Sequence, residues 1–175
     1  KHWVMDYETL SNCFTGVFEH YKTTETKVFV IHDLRNDLDE FINFLEENFN
    51  NKEWHISYNG LAFDAQVTHY IIDNHIDWSY LSGCEIASII YRYAQRCIQK
   101  SNNKEFSDYP QWKMIIGQID IFKLHHWDNP AKRSSLKWIQ YSMDWENILD
   151  MPIHHETEIT KQEEHLLAME RISKK

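Results

Sequence analysis

The segment WVMDYETLS, residues 3–11, reads as a buried β-strand apart from its two acidic residues. Because side chains alternate between the two faces of a strand, Asp6 and Glu8 point to the same side. Two carboxylates on one face repel each other, and burying them costs free energy unless a positive charge lies between them. The segment therefore predicts either a strand end that faces solvent or a site that holds a cation.

The composition predicts one folded domain. The chain has 175 residues, of which 42% are hydrophobic, and it contains seven tryptophans. This is enough for one buried core and is not typical of a disordered segment. No apolar run approaches the roughly 18 residues of a membrane-spanning helix, and no signal-peptide pattern is present. We therefore expect no membrane association, and three cysteines without CxxC spacing indicate reduced thiols in the cytoplasm.

The net charge of −9 argues against attachment to nucleic acid through bulk electrostatic attraction. It is compatible with a nucleic-acid enzyme whose carboxylates are neutralised by divalent metal ions. The eleven histidines are scattered along the chain. The adjacent pairs, which lack the ligand spacing of a zinc site, are His125–His126 and His154–His155.

The first third of the chain is predicted to form an antiparallel meander. Three segments rich in β-branched and aromatic residues, 2–8, 12–22 and 27–33, are separated by short polar turns. A helix is predicted over residues 36–49, where apolar residues recur at helical spacing behind a cap at Asn36–Asp37.

The remaining chain alternates predicted strands and helices. The strands are predicted at 54–59 and 114–124, and the helices at 62–75, 84–100, 134–145 and 157–175. Residues 101–111 are polar and predict a loop, and Thr160 with Glu163 forms a capping box at the start of the last helix. This order predicts an α/β fold, a mixed β-sheet flanked by α-helices, in a single domain over residues 1–175.

The segment SYNGLAFDAQV, residues 57–67, carries a third acidic residue where a strand gives way to a helix. Asp64 at that point is explained by the helix macrodipole alone, which favours negative charge in the first turn. The alternative is that it joins Asp6 and Glu8, because sites in α/β proteins are usually assembled at strand ends. Three carboxylates would form an oxygen-only site suited to Mg²⁺ or Mn²⁺.

The sequences DYET and NGLAFD resemble the first two motifs of the DEDD-type 3′→5′ exonucleases, in particular the proofreading domain of phage-type family B DNA polymerases. The Asp-x-Glu motif is matched by Asp6 and Glu8, and the Asn-x-x-x-Phe-Asp motif by Asn59, Phe63 and Asp64. The later segments IDIFKL, SSLKWIQYSM and MPIHHETEITKQEE are also similar to parts of those domains.

The resemblance implies a ribonuclease H-like fold that removes nucleotides from single-stranded DNA 3′ ends with two divalent ions, Mg²⁺ or Mn²⁺. Asp6 would bridge both ions, Glu8 would complete one site and help to position the attacking water, and Asp64 would support the second ion. The residues expected to hold the frayed strand are Thr9, Asn59 and Phe63, the last through base stacking. A polymerase domain in the same parent chain is also implied, in the host cytoplasm if the protein is viral.

The family has a fourth carboxylate, in Tyr-x-x-x-Asp or His-x-x-x-x-Asp on a late helix. The first pattern is absent, and His165 with Glu170 has the second spacing with glutamate in place of aspartate. Two explanations stand: the chain is a fragment that ends before this third motif, or the motif has diverged. In either case we expect weak activity at best from this chain, since losing a metal ligand commonly costs orders of magnitude in rate.

Two further features carry alternatives. Asp120, on a predicted strand, either approaches the site or makes a structural hydrogen bond. Lys132, Arg133 and Lys137 either contact phosphates or form a solvated helix face. For the whole chain, two other functions compete with the proofreading exonuclease. They are a catalytically weakened module of the same fold that binds single-stranded nucleic acid, and an RNA-directed exonuclease.

Overall fold

A computed structural model describes residues 2–128 and 134–144. The strands are β1 (His2–Thr9), β2 (Phe14–His20), β3 (Thr26–His32), β4 (Arg35–Asn36), β5 (Trp54–Ser57) and β6 (Gly117–Asp120). The α-helices are α1 (Leu38–Asn50), α2 (Asp64–Asn74), α3 (Gly83–Asn103), α4 (Ile121–His125) and α5 (Leu136–Ser142). Short 3-10 helices span His75–Trp78 and Gln111–Lys113.

The strands form one mixed sheet in the order β4-β3-β2-β1-β5-β6. The predicted antiparallel meander of β1, β2 and β3 is confirmed, and β4 extends it by two residues. On the other side of β1, strands β5 and β6 pair in parallel with their neighbours. The predicted mixed α/β sheet is therefore confirmed, with β1 at the junction between its antiparallel and parallel halves.

The strand predicted over residues 114–124 is too long. It begins at Gly117 and ends at Asp120, and the next residues form helix α4. The physical reason is a helix cap, because the Asp120 carboxylate accepts a hydrogen bond from the backbone N–H of Lys123. The apolar residues on both sides of Asp120, in the segment IDIF, did not indicate that the strand ends there and a helix begins.

One face of the sheet carries an aromatic core. Trp3, Met5 and Tyr7 alternate with outward-facing residues along β1 and are buried. Helix α1 covers them: the Phe41 ring meets the edge of the Tyr7 ring, and Phe44 meets that of Trp3. Strands β2 and β3 add three further aromatic residues to this cluster, Phe14, Phe18 and Phe29.

The starts of α1 and α5 test two of the predicted caps, and at α1 the side chain of Asn36 accepts from the N–H of Leu38 at 3.3 Å. Ser135 accepts from the N–H of Trp138 at the start of α5, as expected. Asp37 precedes α1, but its carboxylate instead accepts from the N–H of Val30 and pairs with Arg35 at 2.6 Å. The predicted capping box near residue 160 lies outside the described residues.

The topology assigns the site to one edge of the sheet. Because β1, β5 and β6 run in parallel, their carboxyl ends, at Thr9, Ser57 and Asp120, lie on the same side. None of the helices within residues 2–128 and 134–144 combines the length and apolar character needed to cross a membrane.

Candidate functional site

A cleft of about 590 Å³ opens at this edge of the sheet. Its walls are the end of β1, the connection from β5 to α2, and one face of α3. All six residues that the two sequence motifs singled out line it, namely Asp6, Glu8, Thr9, Asn59, Phe63 and Asp64. The fold therefore brings together two segments that are far apart in the chain.

The two acidic residues of β1 share a face, as the strand period predicts. Asp6 is exposed and Glu8 is half-buried, whereas their neighbours Met5 and Tyr7 are buried in the core on the other face. Asp6 lies opposite Val17, and Glu8 opposite Thr15, in the antiparallel pairing with β2. No basic side chain stands opposite either carboxylate in that register.

Asp64 is the buried member of the group. It is the first residue of α2 and is only 5% exposed. Burial raises the pKa of its carboxyl group well above the ordinary value, and the charges of Asp6 and Asp120 raise it further, while backbone hydrogen bonds at Asp64 and Tyr7 oppose the rise. The favourable position at the start of α2 is therefore not the only electrostatic effect on Asp64, because the negative charge of Asp6 opposes ionisation of its carboxyl group.

A tight turn presents Asn59 and Asp64 to the cleft. Asn59 has a left-handed backbone conformation (φ 61°), which asparagine tolerates better than most residues. Gly60 follows it, and a Cβ there would lie 1.7 Å from the Ser57 hydroxyl oxygen. The Gly60 carbonyl oxygen accepts hydrogen bonds from the N–H groups of Phe63 and Ala65. The Asn-Gly pair is therefore required by both conformation and space.

Asp120 holds this turn from the neighbouring strand. It is 4% exposed, and its two carboxylate oxygens accept from the N–H groups of Asn59 at 3.0 Å and Leu61 at 3.1 Å. It is absent from the described residues that line the cleft. The structure thus gives Asp120 structural hydrogen bonds at a strand end, while its charge still acts on Asp64.

Behind the cleft, a pair of hydroxyl groups joins β1 to α2. The Tyr7 hydroxyl and Thr68 Oγ1 are 2.7 Å apart, and Thr68 donates to the carbonyl oxygen of Asp64 at 2.9 Å. Tyr7 is buried, and burial is the main reason why its pKa is raised well above the ordinary value. This neutral contact links the strand of the first motif to the helix of the second.

Sequence reasoning missed the opposite wall of the cleft. It is formed by α3, and the residues that line it are Tyr91, Gln95, Ile98, Ser101 and Asn102. Four of these, at positions 91, 95, 98 and 102, have the spacing of one helix face. That face includes Ile98, which is 41% exposed. A stripe of polar and apolar residues along α3 was therefore the sequence pattern that could have indicated this wall. Tyr58 was also missed; its hydroxyl donates to the carbonyl oxygen of Ser134 at 2.5 Å.

The donor set suits a hard divalent cation in its chemistry, since the three acidic side chains offer only oxygen ligands. As placed, no three His, Cys, Asp or Glu side chains in the described part of the chain are grouped closely enough to hold a metal ion. Two of these carboxylates interact electrostatically, because the charge of Asp6 adds to the effect of burial in raising the pKa of Asp64.

The other candidates are not brought into this cleft by the described residues. Lys137 is exposed on α5 and is not among the residues that line the cleft. His165 and Glu170 lie outside the described residues, as do Lys132 and Arg133.

No protein-family model matches this chain, and no curated protein sequence matches it. The resemblance to the exonucleases therefore depends on the motif residues quoted above.

Proposed function

We propose that this chain is a metal-dependent 3′→5′ exonuclease domain of the proofreading type that acts on single-stranded DNA, within a phage-type DNA polymerase. One observation carries the proposal: Asp6, Glu8 and Asp64 line a single cleft at the carboxyl ends of parallel strands. The arrangement of an antiparallel meander continued by two parallel strands supports a ribonuclease H-like fold.

The electrostatics favour a cation in this cleft. The only charged residues among its described lining are these three acids. Burial of Asp64 and the nearby charge of Asp6 make ionisation of the Asp64 carboxyl group unfavourable until a positive charge arrives. Two divalent ions, when bound, would neutralise the phosphate and lower the pKa of the attacking water. Asp6, Glu8 and Asp64 are the residues that we propose hold them.

The neutral lining supports a substrate rather than a metal alone. Phe63 offers a ring on which the terminal base can stack, and Asn59 and Thr9 offer hydrogen-bonding groups beside it. Stacking and neutral hydrogen bonds orient an unpaired nucleotide without adding positive charge to the site. The Asp120 carboxylate contributes indirectly, because it positions the turn that carries Asn59.

The test is a cleavage assay on a 5′-labelled single-stranded oligonucleotide with Mg²⁺ or Mn²⁺, in parallel with calorimetric titration of Mn²⁺. We expect stepwise loss of 3′ nucleotides that falls by about a hundredfold or more in Asp6→Ala and Asp64→Asn. Asp39→Asn is the matched control, because Asp39 is an exposed acid in the first turn of α1. Since the fourth carboxylate is not identified, slow cleavage is expected and metal binding is the second readout.

The outcomes separate the competing functions. Mn²⁺-dependent shortening that needs Asp6 and Asp64 supports the proposal. Binding of the oligonucleotide without cleavage favours the binding module, and faster shortening of a ribose oligonucleotide favours an RNA-directed exonuclease. Absence of cleavage, metal binding and oligonucleotide binding together would overturn the proposal.

A further inference from the structure

A second, smaller cavity adjoins the cleft. It has a volume of about 260 Å³, and Ala62 and Ser101 border both spaces. The two therefore form one continuous groove, which runs from the acidic residues of β1 past the start of α2 to the end of α3. An extended ligand whose end lies in the cleft can continue into the smaller cavity.

The charge of the lining changes sign between the two spaces. The smaller cavity is lined by three lysines, at positions 100, 104 and 123, and by two acids, Glu105 and Asp108. Asp108 is already neutralised: Lys100 lies 2.5 Å and Arg96 3.0 Å from its carboxylate oxygens. The lining of the smaller cavity therefore has an excess of positive charge, although the net charge of the protein is −9.

Lys104 and Lys123 carry this surplus. Both are exposed, and neither forms an ion pair within the part of the chain that the structure describes. Lys104 ends α3 in a left-handed conformation (φ 57°), and Lys123 lies in the first turn of α4. As far as the described residues go, their ammonium groups are available to an anion.

The placement of Lys123 is coupled to the cleft. Asp120 Oδ1 accepts hydrogen bonds from the backbone N–H groups of both Asn59, at 3.0 Å, and Lys123, at 3.3 Å. One carboxylate oxygen therefore fixes the position of the turn in the cleft and of the lysine beside the second cavity. The two parts of the groove are held in register by the same group.

The chemistry of the smaller cavity favours a phosphodiester backbone over bases. Aromatic residues line the cleft at Tyr58, Phe63 and Tyr91, whereas none of the described residues around the smaller cavity is aromatic. Lysines with small polar neighbours such as Ser107 bind phosphate oxygens, and they do so without reading sequence. We propose that Lys104 and Lys123 bind phosphates of the single-stranded substrate upstream of its 3′-terminal nucleotide, an inference that rests on the proposed function.

The experiment measures fluorescence anisotropy of a labelled oligo-dT over a range of salt concentrations. Asp64→Asn serves as the background so that the probe is not degraded, and Lys104→Gln/Lys123→Gln is compared within it. Because each phosphate contact on a single strand contributes about 0.7 to the salt slope, the double variant should lower the slope by about 1.4. We expect a loss of affinity of about tenfold at low salt, equal for oligo-dT and oligo-dA.

The matched control is Lys22→Gln/Lys52→Gln in the same background, because both lysines are exposed and lie away from the groove. It should leave both affinity and salt slope unchanged. If the wild-type protein cleaves DNA but the lysine pair changes neither quantity, or changes them for one base composition only, this inference fails while the proposed function stands. If the background protein binds no oligonucleotide and the wild type cleaves none, the proposed function fails and this inference fails with it.

Discussion

The carboxylate of Asp120 accepts a hydrogen bond from the backbone N–H of Asn59 at 3.0 Å, although a long stretch of chain separates the two residues. The other oxygen accepts from the N–H of Leu61, so one buried side chain satisfies two donors of the turn. This relationship joins the end of β6 to the second motif. It makes the shape of the cleft depend on a residue that does not line it.

Replacing Asp120 should therefore damage the turn. Asp120→Ala leaves the N–H groups of Asn59, Leu61 and Lys123 without their acceptor, and an unsatisfied donor costs about 1–3 kcal/mol when it is buried, and less where it is partly exposed as here. We expect the free energy of unfolding, measured with urea, to fall by about 2–4 kcal/mol. Asp120→Asn keeps one acceptor oxygen and should lose less. Equal stability of Asp120→Ala and the wild type would contradict the role assigned to these hydrogen bonds.

The buried carboxyl group of Asp64 should lower the free energy of unfolding at neutral pH when no cation is bound. Its raised pKa means that the folded protein resists ionising this group, whereas the unfolded chain ionises it at the ordinary value of 3.8. The contribution of Asp64 to the free energy of unfolding is therefore complete at low pH, and it is lost as the pH rises through the pKa of this group in the folded protein. We expect Asp64→Asn to raise the Tm at neutral pH, by about 2–4 °C for each kcal/mol gained.

The same variant tests cation binding. Mn²⁺ or Mg²⁺ should raise the Tm of the wild type, because a ligand that binds only the folded state stabilises it. The cation should have little effect on Asp64→Asn, while Asp39→Asn should respond as the wild type does. A wild-type Tm that is indifferent to divalent ions, or an equal rise in both proteins, would argue against Asp64 as a ligand.

The close approach at Gly60 should be essential for the turn. In Gly60→Ala the new methyl group would lie 1.7 Å from Ser57 Oγ and 2.8 Å from Ser57 Cβ, so the backbone or Ser57 must move. Overpacking of this kind costs about 1–3 kcal/mol. Thermal unfolding should show this loss. Because removal of the Ser57 side chain opens the space, Ser57→Gly should cost less in the Gly60→Ala background than in the wild type, which a double-mutant cycle measures.

His55 should make the protein sensitive to mild acid. The ring is fully buried, and burial together with the charge of His69 lowers the pKa of His55 from 6.5 to about 3. The Asn48 side-chain amide lies 3.0 Å from its Nε2, and Nδ1 has no partner among the described residues. Below pH 6.5 the unfolded chain binds a proton that the folded protein rejects, so stability is lost as the pH falls from 6.5 towards 3.

The measurement is urea unfolding at several pH values across this window. The contribution of His55 to the free energy of unfolding should fall by up to about 1.4 kcal/mol per pH unit. His55→Gln keeps an acceptor for Asn48 but does not titrate, and its dependence on pH should be flatter. Parallel pH profiles for the two proteins would show that another group is responsible.

Local sequence patterns predicted the framework well. The period of two along β1 placed Asp6 and Glu8 on one face, because side-chain direction in a strand is a property of neighbouring residues. Apolar spacing located α1, α2 and α3 to within a few residues, and a serine marked the start of α5. Two motifs also selected six residues that line one cleft.

Errors arose where a side chain acts on a distant part of the chain. The strand that ends at Asp120 looked longer from its apolar run, because nothing local shows that its carboxylate caps a helix and holds a turn. A cap at Asn36–Asp37 was expected for α1, and Asn36 does accept from the N–H of Leu38, but the Asp37 carboxylate accepts from the N–H of Val30 in β3. Which N–H groups each of these carboxylates binds depends on which donors the fold brings close to it.

By itself, the sequence determined the antiparallel meander, helices α1 to α3 and the direction in which the acidic residues of β1 face, since these follow from local backbone geometry. Only the tertiary structure decided that Asp64 meets the charge of Asp6, that α3 forms the second wall, and that two lysines lie beside the cleft. Such contacts depend on the order of strands in the sheet and on the packing of helices across it. Periodicity along the chain carries no information about either.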